Sequence, residues 1–277
     1  ATEKQIMKHP LDKSETRSLV LDSGLKVYLL SDPKFNLSSA SMSVEVGSYE
    51  DPADREGLSH FLEHMLFLGT EKYPDVDEYS TYLKSNGGMS NAYTSRDHTN
   101  YQFQVLPDAF DGALDRFAQF FIGPLFTEEY TAREVNAVNS EYQKNIMSDG
   151  WRQFRMTGLF ANEGHPAAQF NIGNLETLGD IDRTELIEFY NKHYSANRMG
   201  LSMLSTHPLD EMEAWARKHF SNVKNHDLER NVHDPNIIED KKTLRLVHIE
   251  PVKDIRKMDI FFELPSTRDQ YESKPGR

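Results

Sequence analysis

Two short apolar runs, residues 18–21 and 25–30, flank Asp22-Ser23-Gly24, whose composition is that of a tight turn between two strands. Residues 39–46 then set Ala40, Met42, Val44 and Val46 against Ser41, Ser43 and Glu45, the period-two alternation of a half-buried strand. Gly47 and Pro52 punctuate the loop that follows, and the period changes. Leu58, Phe61, Leu62, Met65, Leu66 and Leu68 make residues 57–68 a helix that is apolar over most of its circumference, and so a buried one. A second helix is predicted over 75–85, stopped by Asn86-Gly87-Gly88. Strands at 89–94 and 100–106 come next, the second ended by Pro107.

Helical spacing dominates the rest. It predicts helices over 108–122, 128–147, 151–160, 183–193 and 208–220, the last with Pro208 near its first turn, and one strand at 199–205. Residues 163–178 read as a loop, with Gly164, Pro166 and Gly173. From 221 to 240 the chain becomes polar and rich in Asn, Asp and His, a candidate linker. Strands are predicted at 243–250 and 257–264, and residues 266–277 are polar and without pattern. There is no internal repeat or low-complexity tract. Strands mixed with helices and several hairpins give the fold class: an α+β domain, a mixed or antiparallel sheet packed against helices, over residues 1 to about 235.

Composition narrows the function. Of the 277 residues, 38% are hydrophobic and 27% charged, enough apolar material for a sizeable core. No apolar run approaches the roughly 18–20 residues that cross a bilayer, so no membrane partner is expected. The opening Ala1-Thr2-Glu3-Lys4 lacks the apolar segment of a signal peptide. There are no cysteines, which leaves His, carboxylate and water as metal ligands. That absence fits a reducing cytoplasm and a periplasm alike and does not locate the protein; the expected location is periplasmic, with the cytoplasm as the alternative. A formal charge of −13 argues against nucleic acid as a partner; it serves solubility and would favour basic peptides.

The chemistry concentrates in His60-Phe61-Leu62-Glu63-His64. Residues four apart on a helix share a face, so His60 and His64 can offer two imidazoles to one metal ion. Glu63 borders that face, placed to take a proton from a water on the metal. Such a polar group on an apolar helix is costly unless partnered, and a metal is the fitting partner; a metal-free hydrogen-bonded cluster is the alternative. A catalytic zinc takes three protein ligands. On the helix over 128–147, Glu134 and Glu141 lie two turns apart on one stripe, and spacing does not choose between them.

These residues resemble a known family. His-x-x-Glu-His is the inverted zinc motif of the inverzincins. The run Gly57-Leu58-Ser59-His60-Phe61-Leu62-Glu63-His64-Met65-Leu66-Phe67-Leu68-Gly69-Thr70 is similar throughout to the pitrilysin and insulin-degrading enzyme (insulysin) branch. So are Lys72-Tyr73-Pro74, Gly88-Met89-Ser90-Asn91-Ala92-Tyr93-Thr94, His98-Thr99-Asn100-Tyr101, Glu134-Val135-Asn136-Ala137-Val138 and Gly173-Asn174-Leu175-Glu176-Thr177-Leu178. The resemblance spans residues 17 to about 265 and weakens after Tyr194.

The resemblance implies the roles. His60, His64 and Glu141 would bind Zn2+; Glu63 would be the general base; Glu134 would be a catalytic-site carboxylate orienting a ligand. The strand 89–94 would pair with an extended peptide substrate, with Asn91 and Ala92 as substrate contacts. Phe67, Tyr93 and Phe103 are expected in the core, and the other histidines, His165 and His207 among them, on the surface or in loops. It further implies a catalytic α/β domain at 1–235, then, at 236–277, a linker and the opening strands of a second, truncated domain. The expected function is that of a zinc endopeptidase acting on peptides and small unfolded proteins. The isolated chain is expected to be inactive or weakly active, because the family's far half supplies an Arg and a Tyr to the active site. A homodimer through the face meant for that missing half is a possible partner arrangement. The competing reading, a non-catalytic scaffold of the same fold, is disfavoured by the presence of all five residues His60, Glu63, His64, Glu134 and Glu141.

Overall fold

A computed structural model describes residues 8–238, 245–262, 264 and 270. The polar turn at 22–24 does close a hairpin, joining β1 (Glu15–Val20) to β2 (Lys26–Ser31). Four more strands complete one sheet: β3 (Ser38–Val44), β4 (Met89–Thr94), β5 (Thr99–Val105) and β6 (Met199–Ser205). The order across it is β1-β2-β6-β3-β5-β4, with β2–β6 parallel and every other pair antiparallel. The mixed sheet of the sequence reading is therefore present.

Alternation decides which face is covered. Val27, Leu29, Ala40, Met42, Val44, Tyr101, Phe103, Leu201 and Met203 are buried beneath helices. Their neighbours Tyr28, Ser41, Gln102 and Ser202 point the other way and line an open cavity of about 510 Å³ on the opposite face.

The helices are α1 (Leu58–Met65), α2 (Glu78–Ser85), α3 (Phe110–Gln119), α4 (Glu128–Asn145), α5 (Asp149–Gly158), α6 (Leu175–Leu178), α7 (Arg183–His193) and α8 (Leu209–Phe220). Phe61, Leu62, Met65 and Leu66 are fully buried, so α1 is a core element, as its composition requires. Phe117 of α3 packs against Phe103 of β5 with ring centroids 5.1 Å apart, joining helix layer to sheet. None of the described helices is long and apolar enough to cross a membrane.

Four expectations change. The described parts of the strands predicted at 243–250 and 257–264, residues 245–250, 257–262 and 264, carry no strand; an extended run becomes one only by pairing, and they pair with no sheet edge. The loop expected at 163–178 ends in α6, one turn too short to read from periodicity, capped by the Asn174 side chain, which accepts from Glu176 N and Thr177 N. Tyr93 is 48% exposed and lies against the His98 ring, because odd positions of β4 face away from the helices. His165 is 8% exposed, its Nε2 donating to Asp234 O at 3.0 Å, while His193 and His219 are buried as well. Phe103 is in the core and Phe67 half-buried against Phe120.

The candidate linker is not a loose tether. Asn197 Nδ2 donates to Leu228 O, Arg230 pairs with Glu45, Asn231 Nδ2 donates to Glu50 Oε1 and Asn162 N donates to Ile237 O. Main-chain carbonyls of Leu228 and Ile237 and the side chains of Arg230 and Asn231 fasten it.

Candidate metal centre

The first turn of α1 exposes backbone N–H groups that need acceptors. Asp51, 6 residues before Gly57 and buried, provides them: Oδ2 accepts from Gly57 N at 2.9 Å, and Oδ1 from Ser59 N at 2.7 Å and Ser59 Oγ at 2.6 Å. Burial pushes the Asp51 carboxyl up to about 7, against the pull of those three donors. Ser59 Oγ also lies 2.7 Å from Gly47 O, so its one hydrogen is shared between that carbonyl and Asp51, and the start of the helix is tied to the loop before it.

This fixed helix carries His60, Glu63 and His64. His60 Nδ1 lies 2.7 Å from Ile172 O, and a carbonyl only accepts, so Nδ1 holds the hydrogen. His64 Nδ1 lies 2.8 Å from Glu134 Oε1 of α4 and donates in the same way. Each ring thus turns Nε2 toward the space between the helices, with its orientation set by the other nitrogen.

Both Nε2 atoms face Glu141. His60 Nε2 is 3.6 Å and His64 Nε2 3.7 Å from Glu141 Oε2. Those spacings are too long for hydrogen bonds and close to the ~3.3 Å between two ligands of a tetrahedral ion bonded at about 2.0–2.1 Å. Ligand atoms of His60, His64 and Glu141 lie within 4.8 Å of one another, the one such group of three among the described residues. The donor set, two imidazoles and a carboxylate with fixed outer contacts, fits zinc. Glu134 and Glu141 share a stripe of α4 but meet His64 at different nitrogens.

The local fields are strong. Burial, and then His64, lowers the pKa of His60. Burial also opposes charge on His64, but Glu134 and Glu141 outweigh it and raise its pKa to about 9. The neighbouring His64 and His60 lower that of Glu141. Glu63 is 6% exposed, and burial pushes its carboxyl up to about 7 although Thr94 Oγ1 donates to its Oε2 at 2.6 Å. A carboxyl near neutrality can both take and return a proton.

Thr94 ends β4, the edge strand of the sheet, whose outer side pairs with no strand among the described residues. Ala92 is half-buried on the helix side, packed against the core. Asn91 points to the open face and lines its cavity, so the two proposed contacts lie on opposite faces of one strand. The sequence reading did not single out Thr94, Ile172 or Asp51. Asp51 and Thr94 are polar residues ahead of or beyond the motif helix, and a backbone carbonyl has no side-chain signature at all.

With this geometry in place, comparison with known proteins is informative. The sequence model of Insulinase (Peptidase family M16) matches residues 26–162, and that of the Peptidase M16 inactive domain matches 180–277. The chain is 44% identical over 278 residues to insulin-degrading enzyme of Homo sapiens, covering 98% of this chain and 27% of that protein. It is 41% identical to the A-factor-processing enzyme of Saccharomyces cerevisiae, with coverage of 98% and 27%. Among solved structures, pitrilysin superposes with a TM-score of 0.82 at 36% identity, over 86% of this chain and 26% of that one. A protease from Helicobacter pylori, at 23% identity and a TM-score of 0.71, shares the fold. The chain therefore spans little more than a quarter of the length of the curated relatives it matches.

Proposed function

Because the chain belongs to the insulinase family, peptidase family M16, we propose that it forms the zinc-holding part of an endopeptidase acting on peptides and small unfolded proteins. The observation that carries this reading is the convergence of His60 Nε2, His64 Nε2 and Glu141 Oε2, with both Nδ1 atoms already engaged. The names of relatives support it: one is named for degrading insulin and another for processing A-factor.

His60, His64 and Glu141 would hold the ion. When bound, zinc supplies Lewis acidity toward a peptide carbonyl and toward water. Glu63 would take the proton of the attacking water and return it to the leaving nitrogen, a role its raised pKa suits. Thr94 Oγ1 holds the Glu63 carboxylate in one orientation. Glu134 holds the His64 ring. The free edge of β4 would pair with an extended substrate, Asn91 and Ala92 reading adjacent positions from its two faces. We place the catalytic domain at residues 1–235 and assign 236–277 to the start of a further one.

Two substitutions test this. His60→Ala should lose bound zinc, measured by metal analysis after chelation and reloading. Glu63→Gln, made in a chain carrying the full length of its relatives, should keep zinc while peptide hydrolysis disappears. Equal zinc in the His60→Ala and native proteins would sink the metal site, and hydrolysis surviving Glu63→Gln would sink the proton-transfer role.

A further inference from the structure

The hydrogen bond that fixes His60 comes from a main-chain carbonyl 112 residues away in sequence, so something must hold that carbonyl in place. Two glycines do so. Gly57 precedes α1 with φ +91, and Gly173 follows Ile172 with φ +86, both left-handed. They touch: a Cβ on Gly57 would stand 2.3 Å from Gly173 N and Cα and 2.8 Å from Ile172 C. A Cβ on Gly173 would stand 2.4 Å from Leu178 Cδ1. A Cβ on Gly57 would run into the backbone of Gly173, whereas one on Gly173 would push the buried Leu178 side chain aside and stand 3.5 Å from Gly57 Cα; neither backbone conformation is one that an L-residue with a side chain readily adopts.

Both partners of this contact are anchored. On one side Asp51 fixes Gly57 N and Ser59 N. On the other, Asn174 caps α6 through Glu176 N and Thr177 N, and Leu178 is fully buried. The chain reaches Ile172 between these fixed points. The close approach of backbones 57 and 173 brings the Ile172 carbonyl to the His60 ring, which sits one turn into α1.

We propose that the Gly57–Gly173 contact is a positioning device for the metal centre. Its work is to present the Ile172 carbonyl to His60 Nδ1, so that His60 Nε2 is bare and aimed at Glu141. Gly173 is then a positioning residue, acting on the ion only through His60. This inference rests on the metal-site reading above and adds residues that the His-x-x-Glu-His motif does not contain.

The test uses the 277-residue chain and Zn2+ competed against a chromophoric chelator, together with the visible spectrum of Co2+ in the same site. Gly173→Ala should weaken zinc binding by roughly 10-fold to 100-fold, as loss of an outer hydrogen bond to a ligand does elsewhere, and should alter the Co2+ spectrum. Gly164→Ala is the control for backbone strain alone: φ is +78 there, and a Cβ would meet nothing within 4 Å. It should bind both ions as the native chain does. Native zinc affinity and spectrum in a folded Gly173→Ala protein would overturn the proposal. If that variant fails to fold, nitrogen-15 NMR of His60 in the metal-free native chain decides. The hydrogen on Nδ1 supports the proposal, and the hydrogen on Nε2 overturns it. The His60→Ala protein separates the two claims. If it binds zinc as the native chain does, the metal site itself is wrong. If it does not, and Gly173→Ala does, only the glycine contact is wrong.

Discussion

Glu134 and Glu141 stand two turns apart on α4, and their different fates show what residue spacing can and cannot say. Helical geometry places both on the stripe that faces α1, but only atomic positions separate an oxygen at His64 Nδ1 from one near both Nε2 atoms. His60, Glu63 and His64 were legible because five consecutive residues on one helix carry the pattern. Thr94 and Ile172 were not, because they act from another strand and from a main-chain atom. A different histidine gives a pH signature. His193 is 7% exposed at the end of α7, and burial, with Lys192 and Arg198 nearby, lowers its pKa from 6.5 to about 4. An unfolded chain would protonate it at about 6.5 while the folded chain resists until about 4. Stability should therefore be unaffected by His193 above that window and fall as pH drops through it. The loss is on the order of 3 kcal/mol by pH 4. Replacing His193 with Leu should flatten that part of the acid limb in urea unfolding between pH 7 and 4. An unchanged slope would show that His193 is not the group responsible.

At the scale of elements, amphipathic patterning located α1, α2, α3, α4, α5, α7 and α8 and all six strands of the sheet, with ends displaced by a turn or less. It failed where an element depends on a partner. Residues 245–250 and 257–262 have strand-like composition, but a strand is a paired object, and among the described residues they pair with none. It also missed how α1 is held. Nothing in the sequence pattern links Asp51 to a helix that begins at Leu58, since a local cap would sit directly before the first turn. Yet three donors at the start of α1 converge on that carboxylate. Asp51→Ala would leave buried N–H groups without acceptors. It should cost about 2–4 kcal/mol, read as a lowered urea midpoint at unchanged slope. Asp51→Asn, which keeps one acceptor oxygen, should recover part of it. A midpoint within experimental error of native for Asp51→Ala would mean that α1 is held by its apolar packing alone.

For the whole molecule, the arrangement is one-sided. Helices bury one face of the sheet, while the other keeps Tyr28, Ser41, Gln102 and Ser202 around an open cavity, and the outer edge of β4 pairs with no strand among the described residues. α5 adds to this, since only Gly158 of that helix is buried and Trp151 and Phe154 are 42% and 41% exposed. The three residues proposed to hold zinc, their outer contacts and the proposed proton carrier Glu63 all lie within this chain, so zinc binding is expected of it alone. Hydrolysis asks for more: groups that stabilise charge on the scissile carbonyl oxygen as it develops. The proposed site, His60, Glu63, His64, Glu134 and Glu141, includes no such donor, and the chain spans 27% of its human relative. Loss of a single donor of that kind lowers turnover by about 100-fold to 1000-fold. The purified 277-residue chain should therefore bind one zinc per molecule, abolished by His60→Ala, and yet cleave a fluorogenic peptide at no more than about a hundredth of the rate of a chain extended to its relatives' length. Comparable rates for the two, with zinc content matched and longer species excluded by mass spectrometry, would show that the catalytic machinery is complete within this sheet and its helices.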